Sequence, residues 1–88
     1  MAKVIRIIAF VNGTPCPIAG EYVKSFDFEA YDGQGYMRST ARIDRAMKFD
    51  DAAAAMAFWK RQSKTNPRRP DGRPNRPMTC TTIEIVDA

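Results

Sequence analysis

The chain contains no histidine. That absence removes Cys-His and Ser-His activation of a nucleophile and every mixed Cys/His zinc site. Cysteine is almost missing as well: Cys16 and Cys80 are the two present, far apart and outside any CxxC pair, so a four-thiolate metal site is out of reach. They are expected as reduced thiols, although a bridge from the first loop to the last strand is conceivable if those segments are neighbours. No apolar run approaches the roughly 18 residues of a membrane span. The opening MAKVIRIIAFVNG looks superficially like a signal peptide. Arg6 breaks its apolar run, however, and no small-residue cleavage site follows Pro15 and Pro17. It reads better as a strand, and the protein is expected to be soluble and cytoplasmic, with no membrane association. Eighty-eight residues leave no room for a second domain or a deep enclosed pocket. At 44% hydrophobic and 10% aromatic the chain is too apolar to be disordered as a whole.

What is present in excess is positive charge, and it is local. Residues 1–59 hold seven basic and seven acidic residues, and 77–88 add only Glu84 and Asp87. The segment between, KRQSKTNPRRPDGRPNRP, carries seven Lys/Arg against one acid and four of the six prolines. The net charge of +4 therefore belongs to one proline-stiffened stretch, a basic loop at about 64–78 with the preceding helix end. Concentrated positive potential attracts polyanions or acidic protein surfaces; it names no reaction.

The order of elements gives the fold class. KVIRIIAFV, β-branched and aromatic on both faces apart from Arg6, suits a central strand. NGTPCPIAG is a connection. From Glu21 to Ala30, Tyr22, Lys24, Phe26 and Phe28 alternate with Val23, Ser25, Asp27 and Glu29, with Phe26 and Phe28 marking the buried face. Asp32-Gly33-Gln34-Gly35 supplies the positive φ of a tight turn, after which a strand from Tyr36 to Ala41 returns antiparallel. Ile43, Ala46 and Met47 have helical spacing for one or two turns. DDAAAAMAFWKRQS predicts the main helix, about three and a half turns, capped by Asp50 and ended by Asn66-Pro67. Ala52, Ala55, Met56 and Trp59 form its inward stripe, with Phe58 at the edge. MTCTTIEIV is the last strand. The sum is a single α+β domain over residues 1–88, ββ-β-α-β in order, with an antiparallel or mixed sheet of about four strands on one main helix and the last strand beside the first.

The segments SFDFEAYDGQG, AMKFDDAAAAMAFWKRQS and RPDGRPNRP together resemble a group of small proteins encoded in phage and prophage genomes, over roughly residues 18–87. No activity and no functional residue comes with that resemblance. It implies a setting, a mobile-element protein in a bacterial cytoplasm, where small basic proteins engage nucleic acid or host machinery.

Candidate functional residues follow from the charge. Lys60, Arg61 and Lys64 on the helix end, with Arg68, Arg69, Arg73 and Arg76, can track a phosphate backbone, since guanidinium pairs bidentately with phosphate and stays charged. Trp59 and Tyr36 offer stacking surfaces. Nucleic acid or a nucleoprotein is the leading partner; the alternatives are an acidic or nucleic-acid-binding host protein, such as a nuclease or defence complex that a phage-borne inhibitor would dock on, and a merely solvated connection. In Arg69-Pro70-Asp71-Gly72, Pro at the second position and Gly at the fourth fit a type I turn, so the loop is expected to be partly pre-set. Asp27 and Glu29, about 7 Å apart on one strand face, can hold a hard cation or act as an acid/base pair, but more commonly form the wet side of a sheet. Ser25, Ser39 and the threonines of TCTT lack a base. The expectation is a non-enzymatic binding protein without metal or cofactor, of open oligomeric state.

Overall fold

The computed structural model describes residues 2–88. Four strands, β1 (Lys3–Phe10), β2 (Tyr22–Asp27), β3 (Tyr36–Thr40) and β4 (Thr81–Asp87), form one antiparallel sheet in the order β3-β2-β1-β4. A one-turn element, α1 (Ala30–Gly33), joins β2 to β3, and the main helix is α2 (Ala52–Trp59). The fold is the α+β arrangement that the order of elements predicts, with β1 central and β4 beside it.

Alternation along β1 and β4 explains their pairing. Ile5 faces Ile85 and Ile7 faces Ile83, so four isoleucines share the face on which α2 lies. Ile5 and Ile7 are fully buried, and each such side chain contributes about 1.5–3 kcal/mol relative to exposure. Ile8, on the opposite face by strand alternation, is exposed at a register shift between Ile7 and Ala9 where the isoleucine pairing ends.

β1 and β2 run together only near Arg6 and Tyr22, where the Ile7 amide donates to Glu21 and the Gly20 amide to Ile7. Beyond that point they diverge, and residues 47–49 fill the gap. Lys3 and Phe49 exchange two backbone hydrogen bonds of 2.8 Å, and the Met47 amide donates to the Val23 carbonyl at 3.0 Å. The helical turns expected around Ile43 and Met47 shrink to a 3-10 turn at Ile43–Arg45 because that backbone is used as sheet edging.

β2 departs from simple alternation. A register shift between Val23 and Ser25 brings Val23, fully buried, and Phe26 to the same core, correcting the expectation that they point opposite ways. Phe28, just past the strand, is buried too and continues a chain of rings. Phe26 to Phe28 is 4.7 Å between centroids, Phe28 to Phe58 5.1 Å, and Phe58 to Phe49 5.3 Å.

α2 is shorter than its sequence predicts, eight residues rather than about fourteen. Its cap is Asp51, whose Oδ1 accepts from the Ala54 amide at 2.8 Å, and Asp50 lies outside. Ala55, Phe58 and Trp59 face the core, whereas Met56 is 37% exposed and Ala52 is exposed, so the anticipated stripe is rotated. The helix stops seven residues before Asn66. After Lys60 the chain is held by tertiary hydrogen bonds, and Ser63 donates its amide to Asn75 at 2.9 Å.

Candidate functional site

The segment from Lys60 to Pro77 is built as a small hairpin rather than a free loop. Its rungs are Ser63 N to Asn75 O, Asn75 N to Pro67 O, and Arg69 N to Arg73 O, at 2.8–2.9 Å, with an antiparallel bridge between Arg68 and Pro74. The turn forms where Arg69-Pro70-Asp71-Gly72 requires it: the Gly72 amide donates to Arg69 at 2.9 Å, and Asp71 Oδ1 accepts from the Arg73 amide at 3.0 Å. Pro70 and Pro74 remove amides that the hairpin does not use and reduce the states its backbone can visit.

Three side chains fasten this hairpin to the sheet. Asn75 donates to the carbonyls of Gly33 at 2.7 Å and Asn66 at 2.9 Å, and Asn66 donates to Asp32 at 2.8 Å. Glu29 is the third. Its carboxylate accepts from the Ser63 hydroxyl at 2.6 Å, the Lys64 amide at 2.8 Å, and the amide and hydroxyl of Thr65 at 3.0 and 2.9 Å. These donors, led by Ser63, hold the Glu29 pKa down to about 2. The cation or acid/base pair considered for Asp27 and Glu29 is thereby corrected. Glu29 lies beyond β2 with its lone pairs filled by the chain itself, and Asp27 Oδ1 accepts from the Glu29 amide at 3.0 Å.

Fit at the junction is tight. Gly33 is buried at φ 84, and a Cβ there would stand 2.7 Å from Ser63 Oγ and 2.8 Å from Asn66 Cβ. Gly35, at φ 88, would meet the Phe26 ring at 2.5 Å. Both Asp32 and Tyr31 take left-handed dihedrals to bring Gly33 into this contact.

All seven sequence-predicted cations are exposed. The hairpin brings Arg68 and Arg69 together, opposite Asp32, Gly33 and Gln34 across an open depression of about 270 Å³. Arg68 turns its Nη1 toward the Gly72 carbonyl at 3.1 Å. Arg61 and Lys64 line a second depression, of about 390 Å³, with Asp27 and Phe28, and the Arg61 guanidinium carbon lies 5.3 Å from the Phe28 ring centre. Arg73 is at the tip, 3.8 Å from Asp71. Lys60 and Arg76 line neither depression. Among the described residues Arg73 alone of the seven takes part in an ion pair.

Arg69 also borders a third depression, of about 460 Å³, with Phe10, Val11, Thr79 and Cys80. Burial around its sulfur pushes the Cys80 thiol up, which disfavours the thiolate, and both cysteines are free. Trp59 takes the inward place expected from the helix stripe, not the stacking role. It packs against the core, and its indole N–H is buried without a partner. Tyr36 does stay open to solvent, and beside it stands Tyr31, which no sequence pattern singles out. Among the described residues no group of three or more Cys, Asp or Glu is placed to hold a metal, and no helix is long and apolar enough to cross a membrane. No protein-family model, curated protein or solved structure matches the chain.

Proposed function

We propose that this is a non-enzymatic nucleic-acid-binding protein whose contact surface is the hairpin at 60–77. One observation carries the reading: seven exposed cations sit on a backbone fixed by the end of α2, by the hairpin's own rungs and by Glu29, Asn66 and Asn75, and six of them have no carboxylate within ion-pair distance among the described residues. A solvated connection needs neither the rungs nor the anchors. Fixing the arginine-bearing backbone in the free protein lowers the ordering cost on binding, and guanidinium groups without a carboxylate partner have no ion pair to surrender to a phosphate. The Glu29 carboxylate is occupied by uncharged donors, the Ser63 hydroxyl and the Lys64 and Thr65 amides, rather than by any of the seven cationic side chains. The setting that accompanies this proposal is a bacterial cytoplasm during phage or prophage expression.

The test is binding of the purified protein to labelled duplex DNA, single-stranded DNA and RNA over a range of salt. Micromolar or tighter association that weakens steeply with salt and changes little with sequence is expected, because neutralised phosphates release counterions. Retention of one defined protein from nuclease-treated lysate, with no association to any nucleic acid, would replace this reading with an inhibitor of a host protein.

A further inference from the structure

The turn before β3 holds a strained residue whose ring the protein itself hardly uses. Tyr31 sits at φ 53, ψ 50 and Asp32 at φ 56, ψ 40. Asp tolerates the left-handed region, whereas a bulky aromatic there is an outlier that glycine or asparagine would avoid. Burial does not compensate, since Tyr31 is 69% and Tyr36 48% exposed. The two rings meet each other edge-on, 6.4 Å between centroids. A bulky side chain kept at a strained, exposed position is characteristic of a group presented to a ligand.

Its surroundings identify the chemistry. The residues that follow Tyr31, Asp32 to Gln34, form one wall of the 270 Å³ depression, and Arg68, Arg69 and Pro70 form the other. Both walls are immobilised against each other by the Asn75 bond to Gly33 and the Asn66 bond to Asp32. Tyr31 thus directly precedes the wall that faces two guanidinium groups, and the tyrosine pair lies outside the depression itself. A duplex hides the faces of its bases and offers only backbone to such a surface, while an unpaired strand offers both phosphates and π-faces.

The geometry points to Tyr31 and Tyr36 as a stacking platform for unpaired nucleobases, carried on the turn that abuts the Arg68/Arg69 phosphate contacts, which makes single-stranded nucleic acid the ligand class. This rests on the nucleic-acid reading above and narrows it.

The experiment compares wild type with Tyr31→Gly, Tyr31→Asn and Tyr31→Phe, using fluorescence anisotropy with a labelled oligopyrimidine single strand, as DNA and as RNA, and a blunt duplex. Wild type is expected to prefer the single strands. Tyr31→Gly and Tyr31→Asn should each weaken single-strand binding about 5- to 100-fold, the range for losing one stacked base. Their salt slopes should stay unchanged, because the arginines remain. Both replacements suit the left-handed dihedral, so thermal melting should show the fold retained. Tyr31→Phe, which keeps the ring, should bind as wild type does. Equal binding of duplex and single strand, untouched by Tyr31→Gly and Tyr31→Asn, overturns the platform and leaves the nucleic-acid reading standing. Absence of binding to every probe at low salt overturns both.

Discussion

The Glu29 carboxylate accepts a 2.6 Å hydrogen bond from the Ser63 hydroxyl, 34 residues further along the chain. Around that bond the amides of Lys64 and Thr65 converge on the same carboxylate, so one acid at the end of β2 fixes where the basic hairpin leaves α2. The course of the chain that carries Lys64 and the four arginines beyond it is tied to a residue of opposite charge.

This dependence sets a pH response. The folded-state pKa of Glu29 is lowered from 4.5 to about 2, so its stabilising contribution is fully present above pH 4.5 and is lost as pH falls toward 2. Glu29→Gln should lower the melting temperature at pH 7 and flatten its pH dependence between 4.5 and 2. It should also speed hydrogen exchange at the Lys64 and Thr65 amides. Thermal melts across pH, with amide exchange at neutral pH, check this. Identical curves for the two proteins would show that the hairpin is held without Glu29.

The packing of the turn against the hairpin separates two glycines that share a positive φ. Gly33→Ala meets both the left-handed penalty and the Ser63 and Asn66 side chains, and is expected to cost about 2–5 kcal/mol. Gly72→Ala, at φ 85 with nothing within 4 Å, should cost about 1 kcal/mol from the dihedral alone. Urea unfolding of the two variants measures the difference. Comparable losses would mean that contact across the junction contributes little.

Asp51 rather than Asp50 caps α2. Asp51→Ala should destabilise by about 1 kcal/mol, and Asp50→Ala should be close to neutral. The same unfolding experiment distinguishes them. The sequence presents two adjacent aspartates before an alanine run, and either can serve by propensity. The choice is made by where the chain arrives from the Lys3–Phe49 pairing, a tertiary fact.

Much of the fold was legible for that reason in reverse. Where a local rule had no rival, it held. The apolar run of β1 became the central strand, Asp32-Gly33 took positive φ, Arg69-Pro70-Asp71-Gly72 turned, and the Ile83/Ile85 alternation seated β4 beside β1. The failures lie where distant chain competes with local preference. KRQS has helical propensity, yet the Ser63 amide is bonded to Asn75 and its hydroxyl to Glu29, so α2 ends at Trp59. Val23 and Phe26 share a face through a register shift that no residue pattern announces.

For the candidate site, the cations were legible because Lys and Arg without counter-charge stay at the surface, and all seven do. The anchors were not. Glu29, Asn66 and Asn75 are ordinary polar residues whose role arises from partners 9 to 42 positions away. Tyr31 was hidden because its significance lies in a backbone dihedral, and Trp59 admitted both an inward and a stacking role because an aromatic at a helix end fits a core as well as a surface; the inward one holds.

The most direct test of the account is the salt dependence of nucleic-acid binding by wild type beside a variant with Arg68, Arg69, Arg73 and Arg76 changed to Ser. Those four side chains project from the hairpin without supporting the sheet, so the variant should fold. Wild type is predicted to bind with a log-log salt slope of about −3 to −5, and the variant with a much shallower slope and weaker affinity at every salt concentration. Equal slopes for the two proteins, or no binding by wild type down to low salt, would contradict the assignment of the hairpin as a phosphate-contacting surface.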